Sequence, residues 1–385
     1  MKKIYSCFLI FSCLCIFCRG NAMAADINLA TDYQDYKNYL NKQYGFDYSI
    51  DMSVLEQRTA PRGKNNAVQA YIYPSFTWQT FKNQYGVGTL NFAYTIIRYG
   101  NHNANDLASN SGFVTSINDY PDNENEFNEL YYTYQFGGKW NWLTLGFGQF
   151  PIYNFDGTQY DANQQVNFLN DSLAQNASQS YTQAGLGVYA QIIPSEEWSF
   201  AFGGQDGTNI NAQSIRVNNL NEEHYTTFGY VAYTPTIKGI GQSEISVLVY
   251  NQPKVKEQPE TTNGWSLNLS QNIGEKFAVF ARVNETTGNV EEIRQSWVLG
   301  GVYNNPLNRN DLDQIGLAYA YNKIDENAIG VSLEHKAEQV IEAYWAWGIG
   351  DMLTITPDVQ LYINPALNQK SDYGFATSLR ATIFF

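Results

Sequence analysis

Sixteen segments of alternating character, joined by connections whose lengths also alternate, constrain this chain more than any motif it carries. Read with a period of two, the segments fall near 46–58, 67–78, 87–99, 127–138, 140–150, 179–193, 197–207 and 224–235. They continue near 243–252, 261–273, 276–287, 294–304, 313–323, 338–350, 352–364 and 373–385. Successive side chains of a strand point to opposite faces, so each segment has two. Leu143, Leu145 and Phe147 oppose Thr144, Gly146 and Gly148; Leu353, Ile355, Val359 and Leu361 oppose Thr354, Thr356, Asp358, Gln360 and Tyr362. Small and polar residues on the second face predict a wet interior. The eighth and ninth segments alternate poorly.

The connections sort by parity. Even-numbered ones include Gly138-Lys139, Pro194-Ser-Glu-Glu197, Ile273-Gly-Glu275 and Gly350-Asp351, all short. Odd-numbered ones include 100–126, 151–178, 208–223, 253–260 and 324–337, long and rich in Asn, Asp, Gln and Gly. Short turns on one side and long loops on the other are the asymmetry of a bacterial membrane barrel. The expectation is an all-β fold, a transmembrane antiparallel up-and-down barrel of sixteen strands over 46–385. Both termini would be periplasmic. Trp78, Trp140, Trp142, Trp198, Trp345 and Trp347 lie near the short turns, where indole rings anchor a membrane–water interface.

Both ends of the chain agree. Tyr373, Phe375, Leu379, Ala381, Ile383 and Phe385 alternate with Gly374, Ala376, Ser378, Arg380 and Thr382. A terminal strand ending in Phe resembles the signal read by the outer-membrane barrel-assembly machinery, so Phe385 predicts that partner. At the other end, Lys2 and Lys3 precede an apolar stretch, and Ala22-Met23-Ala24 offers a small-x-small cleavage site. Residues 1–24 thus read as a secretory signal peptide. Cys7, Cys13, Cys15 and Cys18 all lie within it, so the mature chain has no thiol for a disulfide, a metal or a nucleophile. Between leader and barrel, residues 25–45 form a periplasmic segment in which Thr31 as cap and Gly45 as stop predict a short helix. That helix would cover the inner mouth or simply lead into the first strand.

Composition narrows the function. Twenty-nine Tyr, 22 Phe and 8 Trp make 15% of the chain aromatic, a mixture suited to interfacial rings. The leader carries Lys2, Lys3 and Arg19 and no acid, so its removal takes the formal charge from −14 to −17. So acidic a chain has no basic face for nucleic acid, and as a pore it would favour cations.

A resemblance enters at Ile341-Glu-Ala-Tyr344 and Leu353-Thr-Ile-Thr-Pro-Asp-Val-Gln-Leu-Tyr-Ile-Asn-Pro365. With Glu129-Leu-Tyr-Tyr132, Gly137-Gly-Lys139, Gly148-Gln-Phe-Pro151 and Tyr44-Gly-Phe-Asp-Tyr48, these stretches are similar to the carbohydrate-selective porin family of Gram-negative outer membranes. The resemblance implies a sixteen-stranded barrel in the outer membrane that passes sugars, without catalysis or cofactor. Its partners would be carbohydrates or other small hydrophilic solutes and outer-membrane lipid, with a homo-oligomer left open.

Pore-lining candidates follow from the inward faces. They are Glu129, Tyr131 and Gln135 on the fourth segment, Gln183 and Tyr189 on the sixth, and Arg282 and Asn284 on the eleventh. The last three segments add Glu342, Tyr344, Asp358, Gln360, Tyr362 and Arg380. Glu342, Asp358 and Arg380 share a height, so they either form a polar ladder for hydroxyls or satisfy one another and stiffen the wall. The connection 151–178 is long enough to fold inward and narrow the lumen. A general cation-selective porin without a sugar site is the nearest alternative. An outer-membrane enzyme fits less well, because His102, His224 and His335 share no catalytic or metal-like spacing. An adhesin role of the outer loops is compatible with either porin reading.

Overall fold

The alternation closes on itself. The computed structural model describes residues 29–61, 66–161, 163–368 and 370–385, with the predicted leader outside them. A helix, α1 (Leu29–Tyr44), leads into β1 (Phe46–Ala60), β2 (Asn66–Asn83) and β3 (Gly86–Tyr99). After α2 (Ala104–Ser111) come β4 (Glu124–Phe136) and β5 (Leu143–Phe150). Next are α3 (Asp171–Ala174), β6 (Gly185–Ile192), β7 (Trp198–Asp206), β8 (Tyr225–Tyr233) and the two-residue β9 (Thr236–Ile237). Then follow β10 (Gly241–Gln252), β11 (Thr262–Ile273), β12 (Phe277–Thr286), β13 (Ile293–Asn304) and β14 (Gln314–Ile324). The chain ends with α4 (Glu326–Ile329), β15 (Ala337–Ile349), β16 (Leu353–Ile363) and β17 (Tyr373–Phe384). Apart from β9, which pairs with the foot of β10, sixteen strands form one antiparallel meander. β17 pairs with β1 from Asp51↔Phe384 to Ala60↔Phe375, so neither strand leaves a free edge. None of the described helices is long and apolar enough to cross a membrane.

The predicted segments match these strands except at the sixth, where 179–193 shrinks to β6. Residues 179–184 are held elsewhere: the Ser180 hydroxyl lies 2.8 Å from those of Thr262 and Thr286, and the Thr182 hydroxyl donates to Gln252 at 3.0 Å. Their period of two is real, but it serves side-chain bonds across the lumen. The short turns are tight enough to need left-handed residues, as at Gly274 (φ 64°) and Gly350 (φ 60°). Trp78, Trp140, Trp198, Trp345 and Trp347 are all about two-fifths exposed near those turns.

Inward rings have a recurring device. Tyr344 faces Gly316 across the β14–β15 ladder, and a Cβ on that glycine would sit 2.2 Å from the ring. Tyr189 over Gly146 repeats the arrangement. A missing side chain lets each ring lie flat along the wall instead of projecting across the channel.

The interior is not wet throughout. Inward residues Phe280, Val298, Val302, Ala318, Ala320 and Val340 form a buried cluster with Leu107, Phe113 and Ile117 from the β3–β4 loop. Tyr160, Phe168 and Leu173 from the β5–β6 loop complete it. Both outer loops therefore fold into the barrel and pack on the wall made by β12–β17. Each large side chain fully buried there contributes about 1.5–3 kcal/mol, which holds the loops in place. Opposite them, Tyr73, Asn91, Glu129, Tyr131 and Thr133 on β2–β4 stay half-buried.

Candidate pore constriction

Most of the inward residues expected to line the pore lie beneath the folded-in loops and hold them. Glu342 is fully buried, and its carboxylate accepts the backbone N–H groups of Leu169 (2.5 Å) and Asn170 (2.8 Å). The Arg380 guanidinium donates to the carbonyls of Gln164, Asn167 (3.0 Å) and Val166 (3.0 Å). A carboxylate thus binds one stretch of loop backbone through its donors while a guanidinium binds the neighbouring stretch through its acceptors. Arg282, also buried, bonds the Ser172 carbonyl at 2.9 Å and pairs with Asp161 at 3.0 Å. Asn284 accepts from the Ser178 hydroxyl at 2.7 Å. Tyr344 packs edge-on against Phe168, and its hydroxyl donates to Gln314.

The β3–β4 loop is secured by the same wall. Gln360 donates to the Ile117 carbonyl at 2.9 Å, and the Tyr362 ring stacks on Phe113 with centroids 3.7 Å apart. Asp358 is buried on β16 between Tyr344 and Ser378. Sequence reasoning overlooked Glu338, whose carboxylate accepts the N–H groups of Val114, Thr115 and Ala366. The three charges placed at one height, Glu342, Asp358 and Arg380, are 0%, 6% and 1% exposed, which puts them out of reach of a solute in this arrangement. This corrects both expected roles, since Tyr189 likewise leaves the lining and packs against Phe150 and Phe155.

The remaining candidates face the open side. Glu129 accepts from Asn154 at 2.8 Å, and Tyr131 borders the Phe150–Tyr189 cluster. Gln135 is exposed at the periplasmic end and donates to the Asn141 carbonyl at 3.0 Å. Between this side and the loops lies a cavity of about 140 Å³, bordered by Tyr71, Tyr73, Tyr120, Tyr153 and Tyr181. Asp119, Asp156, Asp161 and a set of amides including Gln164, Asn176, Gln179 and Gln183 complete it. Neither Lys nor Arg borders it. The alternation of Tyr71 and Tyr73 along β2 was a readable signal for the wall's share. The loop's share came from 151–178, as its length suggested.

The carboxylates of the cavity differ in availability. Asp156 is saturated by Ser266, Asn268, Asn176 and Tyr181, and Asp161 by Arg282 and Thr158. Asp119 is half-buried and pairs with no cation, and burial, then Asp171 and Glu124, push its carboxyl well above the usual range. In the loop after β12, burial with Asp171 and Glu292 pushes Glu291 up to about 7. The histidines lie apart, with His102 3.4 Å from Asp106 at the start of α2. Among the described residues, no three His, Cys, Asp or Glu side chains converge on a metal site.

Comparison with known proteins decides the family. The profile described as "Carbohydrate-selective porin, OprB family" matches residues 65–385. The chain belongs to that family. Among its relatives, Porin AaxA of Chlamydia abortus (strain DSM 27085 / S26/3) is 38% identical over 338 residues, covering 86% of this chain and 75% of that one. Porin AaxA of Chlamydia pneumoniae is 38% identical over 345 residues, covering 87% and 78%. The high-pH structure of Pseudomonas putida OprB covers 92% of this porin and 97% of its own chain, with a TM-score of 0.75 at 12% identity. Salmonella typhi OmpF, solved with daunomycin, covers 88% and 99% wherever the barrel alone is compared at fold level, its TM-score being 0.58 over 97% of its chain.

 The OmpF coverage is 88% of this porin and 97% of its own chain; the 99% just given belongs instead to an anion-selective porin from Comamonas acidovorans, with a TM-score of 0.55. At these identities the solved structures establish the barrel and nothing about the solute. Family and fold together make this chain an outer-membrane porin.

Proposed function

We propose that this porin is a passive diffusion channel for small hydroxyl-rich solutes of the carbohydrate class, and that among ions it favours cations. The observation that carries the reading is the lining of the constriction: five tyrosines, a set of amides and only carboxylates as charged groups. A neutral sugar crossing such a site exchanges water for amide and carboxylate partners, while its C–H faces lie against the rings. Binding of that kind favours entry without preventing exit. The family description and the sequence resemblance support the same solute class.

A second reading, a general cation-selective porin without a sugar site, is favoured by Asp119 and Glu129, which border the open side without a cationic partner. One experiment separates the two. The mature protein is reconstituted in a planar bilayer, and ion current is recorded while mono- and oligosaccharides are titrated. Saturable closure by a sugar, weakened in Tyr120→Ala, supports the carbohydrate reading. A current that ignores sugars but passes potassium over chloride supports the general cation porin and overturns it.

A further inference from the structure

The helix α1 does not close the inner mouth. Its Tyr33 ring packs edge-on against Tyr48 and Phe385, with centroids 6.2 Å away in both cases. The β1 register puts Ser53, Leu55 and Gln57 inward, so Tyr48 points outward, and Phe385 shares the outward side with Ile50, to which its backbone is bonded. The Trp78 indole donates to the Tyr44 carbonyl at 3.2 Å and fixes the helix's far end at the rim. Gly45 stops the helix with φ 65°, and Thr31 falls inside it instead of capping it. The helix therefore sits on the lipid-facing side of the periplasmic rim.

Its surface is divided. Tyr33, Lys37 and Leu40 are half-buried on the stripe that meets the barrel, and the Lys37 ammonium lies 5.2 Å from the centroid of the Tyr48 ring. At about 100° per residue, Tyr36 and Tyr39 fall on one flank of that stripe. Gln34, Asn38 and Asn41 fall on the other. Tyr36 and Tyr39 are 54% and 53% exposed, though nothing in the barrel requires rings there. One flank is aromatic and the other is amide only.

We infer that α1 is an interfacial anchor whose Tyr36 and Tyr39 seat in the phospholipid headgroups of the periplasmic leaflet, with the amide flank turned to the periplasm. A tyrosine suits that layer because its ring can enter the apolar edge while its hydroxyl stays among polar groups. The surface is continuous with the lipid-facing belt of β1 and β17, which identifies lipid as the occupant. Lys37 and Lys42 add charges complementary to phosphate.

The absence of cysteine after residue 18 makes the test direct. Nitroxide is attached to Tyr36→Cys, Tyr39→Cys, Asn38→Cys and Asn41→Cys variants of the mature porin in phosphatidylethanolamine–phosphatidylglycerol vesicles. Folding of each is checked by heat-dependent migration on a gel. Collision with dissolved oxygen and with a water-soluble nickel chelate is then compared. The expected result is oxygen-dominated collision at 36 and 39 and nickel-dominated collision at 38 and 41. Equal nickel access on both flanks would overturn the proposal. So would low access to both reagents at 36 and 39, which would indicate a protein partner such as a second copy. The two tyrosine sites report the same flank, so loss of one variant leaves the other decisive.

Discussion

The two halves of the barrel wall do different work with the same alternation. Along β12–β17 the inward face carries Val298, Ala318, Ala320, Glu342, Tyr362 and Arg380, all buried under the two folded-in loops. Along β2–β4 it carries Tyr73, Asn91, Glu129 and Thr133, all half-buried beside the remaining passage. A barrel can thus use part of its lumen as a protein core and leave the rest to solute. The difference lies in what covers the residues, since both walls present polar groups inward.

Substitutions on the two walls should separate accordingly. The largest effect is expected at Glu342→Ala or Arg380→Ala on the packed wall. Removing either partner leaves buried groups unpaired, at a cost on the order of 3–5 kcal/mol, so the β5–β6 loop should loosen. Single-channel conductance should rise, and limited proteolysis should cut within 151–184. Unchanged conductance and an intact loop would remove the distinction between the walls.

A smaller loss is expected at Gly316→Ala, where the new methyl meets the Tyr344 ring. Overpacking of this kind costs about 1–3 kcal/mol, read as a lower midpoint of thermal unfolding. On the open wall, Glu129→Gln should leave that midpoint within about 0.5 kcal/mol of the parent. Its expected effect is on selectivity, seen as a reversal potential shifted toward weaker cation preference.

The smallest effect concerns pH. Glu291 is raised from 4.5 to about 7 by burial and by Asp171 and Glu292. Between those values the folded porin holds a proton that the unfolded chain has released. Ionising this group therefore costs stability as pH rises through the window, and the charge it adds near the outer mouth is full only above about pH 7. Cation preference should fall as pH is lowered through neutrality, and Glu291→Gln should flatten that part of the profile.

The barrel was legible because it is written in local periodicity: alternation sets strands, and the parity of connection lengths sets sides. The direction of each inward side chain followed as well. Burial did not, because it depends on loops 100–123 and 151–184, whose positions rest on contacts far along the chain. A signal for the packed half was present in Val298, Val302, Ala318, Ala320 and Val340, apolar residues on the supposedly wet face. Strands with apolar residues on both faces are buried on both. Glu338 and Glu342 gave no such signal, since an inward carboxylate looks the same whether it meets solute or backbone.

The bonds that pin the loops join the two ends of the chain. Leu169 waits for Glu342 across 173 residues, and Val114 waits for Glu338 across 224. Contacts of such span form late, after the cost of closing a long stretch of chain has been met. The last strands to be made are therefore the ones that seat the loops. Until they arrive the lumen has no narrow part, so the filter is completed in the same step that seals the seam between β17 and β1.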